Sequence, residues 1–351
     1  MGNPLIDIIV AVWNRPVETR NCLVNLMDHS PQARFILVDN GSDRETERLL
    51  QEFAEILDHR ALLLRNDVNQ GYVRAVNRGI ARAEAPSIAI IRNSSIVIEG
   101  WQESLLKFID EQEDAGIVVP RLVPLNSAKP GKSGQHPAPP EEADHGSFAA
   151  MVLKKRLYDA VGGFDEEMDG GTWCLKDFSR RAYRHGFFTY QVPAGTVRFE
   201  DEVPFGSTER RELALKRSLA AYRERWGEDA SYCIHFPKGA DLNILRQKTV
   251  TLLKGARQGN AFTILAQPRL HKELTAAGLD RLHENVRFMR LPHMFEDRAI
   301  KDLFSGKDKT GSSVIAVTGI DGMPFPAGIE GMPFTEMERL IAAEQAEKYG
   351  G

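Results

Sequence analysis

Over its first third the chain alternates two textures. Runs of adjacent aliphatic and β-branched residues occur at Ile6-Asp7-Ile8-Ile9-Val10-Ala11-Val12, Arg34-Phe35-Ile36-Leu37-Val38, Ala61-Leu62-Leu63-Leu64 and Ser87-Ile88-Ala89-Ile90-Ile91. Amphipathic stretches at 16–27, 44–57, 71–84 and 101–113 follow them. Apolar runs this continuous predict strands buried on both faces, with the intervening helices as their cover. Right-handed crossovers then give an open α/β sheet whose ligand crevice lies beyond the C-terminal ends of the strands. Polar residues gather at those ends: Trp13-Asn14-Arg15, Asp39-Asn40-Gly41-Ser42 and Arg92-Asn93-Ser94-Ser95.

Between 124 and 146 the chain is rich in Pro, Gly and Ser, including Pro137-Ala138-Pro139-Pro140, which predicts a long surface loop. The pattern over 147–202 predicts a strand, a helix entering Gly162-Gly163-Phe164-Asp165, a helix around 178–185 and a strand ending at Val192-Pro193. A charged helix follows at 207–226. From about residue 229 the texture changes, and Phe262-Thr263-Ile264-Leu265, Val286-Arg287-Phe288 and Val314-Ile315-Ala316-Val317 read as strands of a smaller α/β region. The expected division is therefore 1–228 and 229–351. Gly319-Ile320-Asp321-Gly322-Met323-Pro324-Phe325 is nearly copied at Gly328-Ile329-Glu330-Gly331-Met332-Pro333-Phe334, which predicts two related turns. Thr335 with Glu338 predicts a capping box opening a last helix to about Tyr349.

Composition narrows the function classes. With 351 residues, 42% apolar and 27% charged, the chain has the balance of a folded protein of about two domains, which excludes disorder, collagen and coiled coil. Lys plus Arg is 45 against 49 Asp plus Glu, a net charge of −4, so no global field attracts nucleic acid. Cys22, Cys174 and Cys233 are far apart and form no CxxC pair, which argues against a disulfide framework or structural zinc and fits a reducing cytoplasm. The start has no basic region, and no apolar run approaches the roughly 18 residues of a spanning helix, so neither secretion nor a transmembrane anchor is expected. Gly131-Lys132-Ser133 lacks the upstream Gly of a phosphate-binding loop, and His271-Lys272-Glu273 lacks a second His at helical spacing. His136 and His145 flank the loop. The basic residues from Arg210 to Arg225 alternate with Glu209, Glu212 and Glu224, as on a solvated, salt-bridged helix.

The order and spacing of several short motifs carry a resemblance. They are the opening strand with Trp13-Asn14-Arg15-Pro16, Val38-Asp39-Asn40-Gly41-Ser42, Asn69-Gln70-Gly71 with Asn77, Glu99-Gly100-Trp101, Gly162-Gly163-Phe164-Asp165, and Lys176-Asp177 followed by Arg181 and Gly186. Over about residues 5–228 the chain resembles the inverting family 2 glycosyltransferases. The resemblance implies a GT-A fold, a mixed sheet flanked by helices. It also implies a nucleotide-sugar donor, with a UDP type favoured, and a glycan, lipid-linked or protein acceptor, worked on from the cytoplasmic side or peripherally at the membrane. The donor would be held by Trp13, Asn14, Arg15, Asp39, Asn69, Gly71, Asn77, Arg92, Asn93 and Ser94. Asp39 can accept the uracil N3–H, or it forms only an Asx-turn with Ser42. Asn69 also reads as a helix N-cap. Asp177 matches the family's general base, which takes the proton of the attacking acceptor hydroxyl. Its plain alternative is a helix carboxylate paired with Arg180 or Arg181. The family's usual acid before that position is Lys176 here.

The pattern breaks where the family carries Asp-x-Asp, whose carboxylates hold a divalent cation against the donor diphosphate. The aligned residues are Arg92-Asn93-Ser94, and the later His of relatives falls near Phe199 or Glu200. Three readings follow. Arg92 supplies the positive charge directly and no metal is needed; or the donor site is disabled and the domain is a non-catalytic binding or interaction module; or Arg92 pairs with a surface carboxylate while Glu200, Asp201 or Glu202 helps hold a weak metal. A nucleotidyltransferase would need the same missing carboxylates.

Overall fold

The computed structural model describes residues 4–127, 139–200, 208–292, 296–305 and 313–350. Gly131, Lys132, Ser133, His136, Asp201 and Glu202 lie outside the described residues. The chain divides into two compact units, Met1–Pro140 with His145–Arg225, and Glu141–Asp144 with Trp226–Gly351.

In the N-terminal unit the strands are β1 (Ile6–Val12), β2 (Arg34–Asn40), β3 (Ala61–Asn66), β4 (Ser87–Ile91), β5 (Ile96–Val97), β6 (Ala115–Pro124), β7 (Ala150–Lys154) and β8 (Phe188–Phe199). They form one sheet in the order β3-β2-β1-β4-β7-β6-β8-β5. β1 to β4 are mutually parallel, and β7 runs antiparallel between β4 and β6, so the sheet is mixed. Val12 stands opposite Asp39, and Asp39 opposite Arg65, so the C-terminal ends of the first three strands lie level. Every residue of β1 is buried. Asp7 is its polar exception: both carboxylate oxygens take bonds from Arg34, at 2.8 and 2.9 Å, and Oδ2 also accepts the N–H groups of Glu84 and Ala85. Burial alone would raise this carboxyl, but Arg34 and those N–H groups outweigh it and hold the pKa below the usual aspartate value.

The helices follow the amphipathic stretches closely. They are α1 (Pro16–His29), α2 (Arg44–Leu57), α3 (Tyr72–Ile80), α4 (Glu103–Glu111), α5 (Lys155–Val161), α6 (Trp173–Arg184) and α7 (Thr208–Trp226). On α2 the buried Leu49, Leu50, Phe53 and Leu57 form one face, and Asp43 caps its start by accepting the Thr46 N–H at 2.9 Å. Trp101, fully buried, donates its indole N–H to Ser30 Oγ at 3.1 Å and anchors the core.

β8 runs past the expected stop at Val192-Pro193. Pro193 has no N–H to give, and the chain answers by looping out: Pro120 pairs with Val192 but Arg121 with Thr196, after which the strand resumes to Phe199. Gly195 makes this possible, since at φ +81° a Cβ there would meet the Trp101 carbonyl oxygen at 2.5 Å.

The C-terminal unit is a five-stranded parallel sheet of β9 (Ser231–His235), β10 (Ala261–Ala266), β11 (Val286–Arg290), β12 (Val314–Thr318) and β13 (Met332–Pro333), in the order β11-β10-β9-β12-β13. The sequence pattern finds β10, β11 and β12 and misses β9, the middle strand. Ser231-Tyr232-Cys233-Ile234-His235 is five residues with polar ends, and its two neighbours define it. Its last long helix, α8 (Phe334–Glu344), continues as a wider turn over Gln345–Tyr349. The expected capping box does not form. Asp321, from the first Gly-Ile-Asp-Gly turn, accepts the Phe334 N–H at 2.7 Å and does the capping, while Glu338 accepts the Thr251 hydroxyl at 2.6 Å. Residues Glu141–Asp144 are held in this unit by Arg257, bidentate on Glu142 at 2.6 and 2.7 Å, and by Asn285 on Asp144 at 2.9 Å.

Candidate active site

A cavity of about 710 Å³ opens within the N-terminal unit at the C-terminal ends of β1, β2 and β4, where an open α/β sheet places its ligands. Of the residues expected at a donor site, Trp13, Arg15, Asn69, Gly71, Arg92, Asn93 and Ser94 line it. So do Asn40, Tyr72, Phe148, Asp169, Cys174 and Glu200, together with Arg211 and Leu215 from α7.

The first loop is built on backbone strain. Asn14 and Arg15 are consecutive left-handed residues, at φ +56° and +63°. Such conformations cost about 1–3 kcal/mol each unless the surroundings over-determine them. Here they do. The Asn14 N–H donates to Ser42 Oγ at 3.0 Å, and Asn14 Oδ1 accepts the Asp43 N–H at 2.8 Å. Arg15 is fixed by Glu18 at 2.7 Å and Glu200 at 2.5 Å. Asn14 thus shapes the turn and does not line the cavity.

The second loop rests on an amide network. Asn40 Nδ2 donates to Asn69 Oδ1 and to the Gly71 carbonyl, both at 3.0 Å, while its Oδ1 accepts from Asn66 at 2.8 Å and from the Gln70 N–H at 3.1 Å. Asn69 Oδ1 also accepts the Gly71 N–H at 2.9 Å. Gly71, at φ +95°, favours glycine on backbone grounds, and a Cβ there would stand 2.4 Å from Asp169 Oδ2 and push that carboxylate aside. Asp169 reaches the start of α3, where its Oδ1 accepts the Val73 N–H at 3.3 Å. Burial raises the Asp169 carboxyl above the ordinary aspartate value against the pull of the Val73 and Tyr72 N–H groups, and Glu166 adds to the rise.

The third loop carries Arg92, Asn93 and Ser94. Asn93 Nδ2 donates to Thr19 Oγ1 at 2.9 Å, and Ser94 is buried. The Tyr72 phenol is pushed up to about 12 by burial, with the Arg92 charge as the main opposing influence. Cys174 is likewise pushed up to about 12 by burial, so it is a thiol and no nucleophile at neutral pH.

Besides Asn14, three expected site residues do not line the cavity. Asp39 Oδ1 accepts the Ser42 N–H at 2.8 Å, the Asx-turn alternative, and Oδ2 stands 3.2 Å from Arg65. Asn77 is spent on the Gly163-Phe164 turn, donating to the Phe164 carbonyl at 2.8 Å and accepting its N–H at 2.9 Å. Asp177 requires a correction of role. A general base needs a reachable carboxylate, but Asp177 is 0% exposed and carries Arg181 on Oδ2 at 2.8 Å and Arg225 on Oδ1 at 2.7 Å. Asp169, Phe148 and Cys174 went unnoticed in the sequence. The one available signal was Asp169-Gly170-Gly171, a turn sequence between two helical patterns.

A divalent cation of the Asp-x-Asp type does not fit these side chains. Positions 92–94 offer a guanidinium, an amide and a hydroxyl, and Glu200 is engaged by Arg15. Among the described residues no three His, Cys, Asp or Glu side chains converge as metal ligands.

A mixed sheet with this order, and a cavity at the ends of its parallel strands, define a GT-A fold. Residues 7–164, within the N-terminal unit, match the family described as Glycosyl transferase family 2. Among curated proteins, glycosyltransferase GlyG of Streptococcus pneumoniae is 28% identical over 116 residues, 33% of this chain and 38% of that one. EpsH of Bacillus subtilis is 27% identical over 115 residues, 32% and 33% of the two chains. The chain thus spans about a third of the length of the curated relatives it matches. The crystal structure of GalNAc-T7 with UDP, GalNAc and Mn2+ superposes with a TM-score of 0.52 at 13% identity, over 63% of this chain and 48% of that one, a likeness of fold alone.

Proposed function

We propose that the protein is an inverting glycosyltransferase that moves a sugar from a nucleotide-diphosphate donor, a UDP-sugar by preference, to a hydroxyl of a glycan, lipid-linked or protein acceptor, without a divalent cation. The observation that supports this reading is that Arg92, read from the sequence as the Asp-x-Asp counterpart, is among the residues lining the cavity. A guanidinium is permanently charged and donates two parallel bonds to a phosphate, so it can offset the charge of a leaving diphosphate in the cation's stead. Trp13, Arg15, Asn69, Asn93 and Ser94 supply the remaining polar and stacking contacts. The free, buried cysteines accord with work in a reducing cytoplasm.

A second reading has its own observation. With Asp177 sealed under two guanidinium groups, the family's expected base is out of reach, which favours a domain that binds the donor and transfers nothing. One experiment separates them. The full chain is incubated with UDP-, GDP- and dTDP-hexoses, with and without EDTA, and nucleotide release is followed. Release that persists in EDTA is the expected result; donor binding without release supports the second reading.

A further inference from the structure

Inversion at an anomeric carbon needs a base on the acceptor side, and the cavity offers few. Glu200 is ion-paired to Arg15 at 2.5 Å, and of the two exposed residues Glu212 and Asp169, Asp169 is the one whose carboxylate a backbone N–H, that of Val73, orients. Asp169 remains. It lines the same cavity as Arg92, and the glycine at position 71 leaves the space its carboxylate occupies, since a Cβ there would come within 2.4 Å of Oδ2. Oδ1 accepts the Val73 N–H at 3.3 Å, the Tyr72 N–H also bonds the carboxylate, and Oδ2 stands beside Gly71, which lines the same cavity.

Resting on the transferase reading above, we propose that Asp169 is the catalytic base of this chain. The acceptor O–H gives its proton to Asp169 Oδ2 as its oxygen forms a bond to the anomeric carbon. The bond from that carbon to the donor phosphate breaks, and the nucleoside diphosphate leaves with the electron pair, its charge met by Arg92. The raised carboxyl is suited to this work, since a base closer to neutrality accepts the proton more readily. The plain alternative is a side chain that only caps α3.

The test separates these. Asp169→Asn keeps an oxygen to accept the Val73 N–H but takes no proton. With a UDP-hexose as donor and water as acceptor, the variant is expected to lose about a hundredfold or more in kcat, as for a removed general base, with UDP affinity and thermal midpoint close to the unaltered chain. Formate is expected to restore part of the turnover to Asp169→Ala, which a capping role would not allow. Turnover by Asp169→Asn within threefold of the unaltered chain overturns the assignment and leaves the transferase reading standing. Absence of turnover by the unaltered chain with every donor removes that reading, and the base with it.

Discussion

Gly71 and Asp169 occupy one space, and each explains the other. At φ +95° position 71 favours glycine on backbone grounds, and a Cβ there, 2.4 Å from the carboxylate, would displace Asp169 from its place at the start of α3. Gly71→Ala is therefore expected to cost about 1–3 kcal/mol, read as a lower midpoint in urea unfolding. An unchanged midpoint would show that the loop relaxes freely and that the amide network of Asn40, Asn66 and Asn69 does not fix it. Other residues at this scale were readable beforehand only as types. Arg92, Asn93 and Ser94 could be placed at a strand's end because the apolar run before them stops at Ile91. Asp39, Asn77 and Asp177 have the right chemistry for a donor or acceptor, but their hydrogen bonds point into turns and ion pairs, and no sequence pattern encodes which way a side chain is spent.

Between elements, Asp177 does structural work across three segments. Arg225, near the end of α7, donates to Asp177 on α6 and to Asp165 in the Gly-Gly-Phe-Asp turn, both at 2.7 Å. Arg181 adds bonds to the carbonyls of Val161 and Gly163 at 2.7 and 2.8 Å. Removing one member of a buried pair strands the others, at about 3–5 kcal/mol. Because Arg225 is 39% exposed and can rehydrate, the lower end of about 3 kcal/mol is expected for Asp177→Ala. Urea unfolding checks it: a large stability loss supports the structural role, whereas an unaltered unfolding curve with abolished turnover would return Asp177 to the chemistry. The elements themselves were largely legible, since β1 to β4 are continuous apolar runs and α2 is cleanly amphipathic. What escaped was set by contacts distant in sequence: the resumption of β8 after its loop-out beside Trp101, the strand β9, and the cap that Asp321 gives to α8 from 13 residues away.

At the scale of the whole molecule, a GT-A unit with its cavity and a separate parallel-sheet unit share one chain. Among the described residues no helix is long and apolar enough to cross a membrane. The proposed function turns on how charge is balanced in that cavity, with the Arg92 guanidinium proposed in place of the family's carboxylates and cation. Calorimetric titration of UDP into the full chain in EDTA tests this most directly, with Arg92→Ala beside it. The account predicts metal-free binding by the unaltered chain, weakened in the variant by about 1.5–3 kcal/mol, the worth of a charged hydrogen bond. Equal affinity in both proteins, or binding that appears only when a divalent cation is restored, would contradict it.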